Sequence, residues 1–193
     1  MTRIGLFIFF VISFCLLILP SRTFAQDKEI RASLMASVMQ RIGINTDITI
    51  QYSRPGVKGR KIWGGLVPYG MAPANDESGG KPYPWRAGAN ENTTFEVSKD
   101  VLVAGKKLPA GKYGVHMIPS EKDWIVIFSK NNSSWGSYSY DPKDDVLRIT
   151  VTPVKAQHME WLTYGFDDLA GTSATAFLHW ENLKVPFKIE LPG

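Results

Sequence analysis

From Asp47 to the end of the chain, apolar and polar residues alternate in short runs, broken about every ten residues by Gly, Pro, Asn or Asp. Successive side chains of a strand point to opposite faces, so a period of two describes strands buried on one side. Ile48, Ile50 and Tyr52 alternate with Asp47, Thr49 and Gln51, and residues 94–98, 101–104, 113–118, 147–152, 160–166, 173–180 and 183–189 continue the series. Residues 124–128, Trp-Ile-Val-Ile-Phe, are apolar throughout, which reads as a central strand covered on both faces. Pro186 cannot donate to a ladder and marks an edge or a bulge in the last run. The pattern predicts an all-β chain, a single antiparallel β-sandwich with a jelly-roll-like or barrel-like variant as its alternative form.

Residues 32–42 admit two readings. Leu34, Met35, Val38 and Met39 suit a short amphipathic helix. Residues 36–42 equally suit a strand paired with the one from Asp47 across Gly43-Ile44-Asn45-Thr46, whose Gly and Asn favour a hairpin turn. The strand is the preferred reading.

The amino-terminal segment stands apart. Arg3 precedes an almost wholly apolar run over residues 4–19, Pro20 ends it, and Thr23-Phe24-Ala25 has the small residue of a cleavage site. The expectation is a signal peptide over residues 1–25 and one domain over 26–193, rather than a retained anchor. Phe14 before Cys15 and the apolar residues after it do not fit lipid attachment. The 22 Lys and Arg of the chain, less Arg3 and Arg22, face 18 Asp and Glu, a net charge of about +2. That balance argues against a nucleic-acid partner, which needs a strong basic excess on one face. Cys15 is the one cysteine of the chain, so the segment after Ala25 contains neither disulfide nor thiolate. Export without cysteine fits a periplasmic or extracellular bacterial protein. Asn92-Thr93-Thr94 and Asn132-Ser133-Ser134 match glycosylation sequons, a chance match in that setting.

Three segments lack any period. In the first, Arg54, Lys58, Arg60 and Lys61 stand among Pro55, Gly56 and Gly59. Glycine lets backbone approach a ligand, and a guanidinium fork matches carboxylate or phosphate, so this turn is a candidate anion-binding loop; the competing reading is a solvated turn. Its spacing matches no nucleotide fingerprint. The second, Trp85-Arg86-Ala87-Gly88-Ala89-Asn90-Glu91, collects an aromatic platform, a guanidinium, an amide and a carboxylate, suited to stacking on a ring and bonding its polar rim. A structural Arg86–Glu91 ion pair is the competing reading. The third, residues 70–84, holds prolines and glycines with few large apolar residues and reads as a surface insertion, a lid or a flexible loop.

The segments from Tyr52-Ser53-Arg54-Pro55 to Val67-Pro68-Tyr69, Trp85 to Glu91, and Leu108-Pro109-Ala110-Gly111 resemble a family of secreted bacterial proteins known as domain of unknown function twenty-nine eleven. The likeness continues through Tyr113 to Pro119, Trp135-Gly136-Ser137-Tyr138-Ser139-Tyr140 and Glu160-Trp161-Leu162-Thr163. The resemblance implies a mostly β envelope domain and brings no established activity. In the family pattern Tyr69 and Trp85 lie close together, whereas here residues 70–84 intervene.

Other candidates are weaker. His116 lies between Val115 and Met117 and is expected to face away from the core, towards the Trp85 loop, where an acid–base pairing with Glu91 is chemically possible. No His-x-x-x-His or His-Glu-x-x-His spacing occurs, so a zinc site would need folding to bring His116, His158 and His179 together. Trp135, Tyr138 and Tyr140 line a Ser/Asn/Gly loop of the kind that stacks on sugars. Ser133, Ser134 and Ser137 lack the Gly-x-Ser-x-Gly context of an activated nucleophile. The reading is therefore a module without a cofactor motif, binding a small polar or anionic ligand such as a glycan or carboxylate. Its candidate residues are Arg54, Lys58, Arg60, Trp85, Arg86, Asn90, Glu91, His116, Trp135 and Tyr138. The alternatives are a hydrolase using Glu91 and His116, and a partner-docking envelope protein.

Overall fold

The computed structural model describes residues 30–193; the signal peptide expected over residues 1–25 lies outside the described residues. Ten strands follow one another: β1 (Leu34–Ile42), β2 (Thr46–Arg54), β3 (Thr93–Val97), β4 (Val101–Val103), β5 (Lys106–Leu108), β6 (Gly111–Ile118), β7 (Trp124–Ser129), β8 (Asp145–Val151), β9 (Val154–Ala170) and β10 (Ser173–Glu190). All ladders are antiparallel. One sheet has the order β1-β2-β3-β6-β7-β8, the other β5-β4-β10-β9, and neither closes on itself. The fold is a β-sandwich, not a barrel. Among the described residues no helix is long and apolar enough to cross a membrane.

The alternation read from the sequence is what joins the two sheets. Ile48, Ile50 and Tyr52 of β2, Phe95 and Val97 of β3, and Val115 and Met117 of β6 meet Leu162, Tyr164, Leu178, Phe187 and Ile189 of the second sheet in one buried cluster. Phe95 packs edge-on to Phe128 at 5.1 Å, and Phe187 of the opposite sheet stands 6.1 Å from Phe128. The β7 run is buried on both faces as expected, with Ile127 turned away from Val126 and Phe128 yet fully covered.

Residues 34–42 form the hairpin strand and not the helix. Ile42 pairs with Thr46 around a turn in which Gly43 has φ 59°, a region a side chain disfavours. The two runs 173–180 and 183–189 prove to be one strand. Irregularities of register at His179/Glu181 and Glu181/Leu183 surround Glu181, whose φ is 55°. Before this bulge Ala174, Ala176, Leu178 and Trp180 face the core; after it Val185, Phe187 and Ile189 do. The left-handed residue interrupts the extended backbone of β10 and the buried positions change from even to odd across it, so one strand reads as two. Pro186 stands in the gap where pairing with β9 has ended at Lys184 and pairing with β4 begins at Ile189. The start of β9 buries nothing from Val154 to Met159, so it has no alternation to read.

Candidate functional site

Both aperiodic candidate loops, and the segment 70–84 between them, belong to a single connection, residues 55–92 between β2 and β3. Its start is pinned to β9: Val57 donates to the Glu160 carbonyl at 2.8 Å and Leu162 donates to the Pro55 carbonyl at 3.0 Å. Ile62, Trp63 and Val67 are buried. Trp63 reaches between the sheets, its ring 4.8 Å from Trp124 of β7 and 5.7 Å from Trp180 of β10. Further on, Trp85 and Met117 exchange two backbone hydrogen bonds of 2.8 Å. Trp85 thus takes the place beside β6 that β3 would reach if it extended back beyond Thr93, which pairs with Val115. Residues 86–92 are a loop thrown out from that strand path. This explains how a motif without strand period is held rigidly against a sheet.

The connection folds over Trp180 and borders a half-open cavity of about 800 Å³. Among the described residues Lys58, Arg60 and Arg86 line it, and no Asp or Glu does. Its aromatic surface comes from Tyr83, Trp85, Tyr138 and Trp180, with Pro55, Leu66, Val67 and Pro73 completing the apolar wall. The Trp85 and Trp180 rings are near parallel, 16° apart with centroids at 6.1 Å, and Trp63 lies edge-on to both. The volume and the mainly apolar lining are those of small-molecule sites.

Arg86 is held on three sides. Its guanidinium lies 4.7 Å from the Tyr138 ring centroid and its Nη1 donates to the Asn90 carbonyl at 2.8 Å. It also rests on the backbone of Gly136, where an added Cβ would stand 2.2 Å from Cζ. Gly136 has φ 65°, so both space and backbone require glycine there. Tyr138 is in turn packed edge-on to Tyr83 at 5.1 Å. Nε and Nη2 of Arg86 make no hydrogen bond with the described residues and remain as donors. The loop itself is strained: Ala87 and Asn90 have φ of 51° and 60°. Such conformations cost on the order of 1 kcal/mol each and persist where neighbours over-determine them. The Ala87 carbonyl accepts from Tyr164 at 2.9 Å and from Thr93 at 3.1 Å.

The other candidates fall in different places. Arg54 does not line the cavity; its Nε donates to the Leu162 carbonyl at 2.9 Å and its Nη2 to Thr163 at 2.6 Å, tying β2 to β9. Arg60 lines the cavity while donating to the carbonyls of Gly56 at 2.5 Å and Val57 at 3.1 Å. Lys58 is exposed, with its amide bonded to Glu160 and its ammonium 5.8 Å from the Trp161 ring. Asn90 turns from the cavity to donate to the Ser33 carbonyl at 3.0 Å. Trp135 is 53% exposed and carries the Arg31 guanidinium on its face.

Glu91 pairs with Arg31 and not with Arg86, which sets aside the competing reading of a local ion pair. The hydrogen bond from Arg31, and then one from its own backbone amide, hold its carboxyl below the usual range. Arg86 is instead occupied by the Tyr138 ring and the Asn90 carbonyl. His116 does lie on the face opposite Val115 and Met117, but it is only 2% exposed, because the 130–140 loop covers that face. Its Nδ1 lies 2.6 Å from Ser137 Oγ, and its ring meets Tyr140 edge-on. Burial, and secondarily the Arg86 charge, lower its pKa to about 4, so it is neutral near pH 7. Neither Glu91 nor His116 lines the cavity. Tyr140 bonds to Asp145 at 2.9 Å and takes a bond from Arg148, away from the cavity. Asn92 of one sequon is buried, donating to the Gly136 carbonyl and accepting from the Ser134 amide. Among the described residues no group of His, Cys, Asp and Glu is arranged to hold a metal.

Sequence reasoning missed Trp180 and Tyr83. Trp180 reads as an inward residue of a strand, which it is; only its position beneath the connection makes it part of the cavity wall. Tyr83 lies in the segment set aside as an insertion.

A sandwich with a cationic, aromatic-walled cavity formed by one long connection is the class of protein that fold and site define. The family model described as a protein of unknown function, DUF2911, matches residues 33–189, and the chain belongs to that family. No curated protein and no solved structure matches it.

Proposed function

We propose that the protein is an exported bacterial envelope domain that binds a small anionic ligand, carboxylate-bearing or an acidic glycan, in the cavity beneath residues 55–92. The observation that carries this reading is the lining: among the described residues, three cations, four aromatic rings and no carboxylate around one half-open volume. In a partly desolvated site an uncompensated cationic lining favours an anion, and a planar guanidinium with free donors favours a two-oxygen group. Arg86 supplies that fork, Lys58 and Arg60 add positive charge, and the half-buried Tyr83, Trp85 and Tyr138 supply surfaces for the body of the ligand.

The acid–base alternative draws no support from the geometry. Glu91 is engaged by Arg31 and His116 by Ser137, on separate contacts. A thermal-shift screen of small carboxylates, phosphates and acidic sugars, followed by calorimetry, tests the proposal. Hits whose affinity falls about tenfold or more in Arg86→Gln, with melting temperature kept, are the expected result. A screen without hits would instead favour a partner-docking role. Export is tested by mass spectrometry of the protein released by its native host, with an amino terminus at Gln26 expected.

A further inference from the structure

Proteins that select neutral sugars present Asp, Glu, Asn or Gln, because a sugar hydroxyl both donates and accepts and needs partners of both kinds. Among the described residues none of those types lines this cavity. Its charged groups, Lys58, Arg60 and Arg86, are donors only. The Tyr83 hydroxyl already accepts from Asn75 at 3.1 Å. Besides Tyr83, only the hydroxyls of Ser33 and Tyr138 offer side-chain acceptors among the described lining residues, so a hydroxyl-rich ligand would leave most of its donors without one, at a cost of about 1 to 3 kcal/mol for each donor buried. A ligand with acceptors at one end and carbon elsewhere meets no such cost. The apolar surface is also shaped. Trp85, half-buried, offers a flat indole backed by the buried Trp180 ring, which lies 16° from parallel to it, and Leu66, which also lines the cavity, is 49% exposed.

We infer that the ligand of this cavity is a planar, apolar-bodied carboxylate of the aryl-acid class, its carboxylate on Arg86 and its flat body against Trp85, and not a sugar acid. This rests on the anion-binding reading above and narrows it. Arg86 is fixed by Tyr138, Gly136 and the Asn90 carbonyl before any ligand arrives, so little ordering is needed to seat the acid.

The test is a ligand series on the unaltered exported protein, read by calorimetry and by the fluorescence of its tryptophans. Naphthoate is the probe, with naphthylmethanol as its uncharged counterpart, glucuronate as a hydroxyl-rich acid and glucose as a neutral sugar. Naphthoate is expected to bind at least about tenfold more tightly than each of the other three. Arg86→Gln is expected to bring naphthoate to within about threefold of naphthylmethanol, with the fold intact by circular dichroism. The series on the unaltered protein decides the matter even if that variant does not fold. Glucuronate binding within about threefold of naphthoate would overturn the aryl-acid inference and leave the anion-binding reading standing. Naphthylmethanol equal to naphthoate, tighter binding of glucose, or no binding of either acid would overturn both.

Discussion

The two candidate loops both lack a strand period, and they use their arginines differently. At the end of β2 and in the turn that follows, Arg54 and Arg60 direct their forks at carbonyls of the protein itself, those of Leu162, Gly56 and Val57, while Ile62, Trp63 and Val67 are buried. That turn is a plug, and its arginines satisfy carbonyls that have no strand partner. In the Trp85 segment the backbone is carried by Met117, and hydroxyls of Thr93 and Tyr164 hold Ala87. Arg86 therefore needs only one of its donors for the loop and presents the rest to the cavity. A cation in an aperiodic loop marks a binding site only when something else satisfies the loop's carbonyls.

Substitutions can break this contrast, beginning with the plug. Trp63→Ala removes a ring packed against Trp85, Trp124 and Trp180 and is expected to cost about 3 to 5 kcal/mol in chemical denaturation. A loss below about 1 kcal/mol would show that the turn is not part of the core.

Next in size is a pH effect beneath the second loop. The pKa of His116 is lowered on folding from 6.5 to about 4, so between these values the unfolded chain binds the proton more readily. Stability contributed by neutral His116 is present above pH 6.5 and lost as pH falls towards 4, amounting to roughly 3 kcal/mol across the window. Melting temperature against pH should fall more gently in His116→Gln than in the unaltered protein; parallel curves would refute the assignment.

The sharpest test of the contrast compares two arginines. Arg54→Ala should destabilise by about 1 to 3 kcal/mol through its lost bonds to Leu162 and Thr163, with affinity for a bound acid unchanged. Arg86→Gln should do the reverse, weakening the acid by about tenfold at nearly constant melting temperature. Equilibrium unfolding and calorimetry on the same two proteins read both effects, and identical behaviour would erase the distinction between the loops. The smallest effect is expected at Lys58, exposed at the cavity. Lys58→Ala should weaken an acid by about threefold or less, a difference that fades as salt is added.

Strands were legible because a half-buried strand writes its own pattern: whichever sheet Ile48, Ile50 and Tyr52 face, alternation follows from the pleat. The hairpin at Gly43 was legible for a similar local reason. The site was legible in part. Arg86, Trp85 and Tyr138 stand out by residue type in aperiodic segments, and the structure brings them together. The partnership of Glu91 with Arg31, across 60 residues, carries no local signal. Nor does the covering of His116 by the 130–140 loop, since alternation tells which side of a strand a residue takes and not what lies over that side.

The sequence by itself determined the all-β class, the faces of most strands and the residue types available for an anion. Tertiary structure alone decided which arginines are engaged by carbonyls and which face a cavity, that Trp180 of a distant strand lies under the connection, and that one bulge at Glu181 joins two runs into one strand. The physical reason is range. Backbone geometry fixes the relation between a residue and its near neighbours, while contacts between segments many residues apart depend on how both sheets pack, and no local period encodes that.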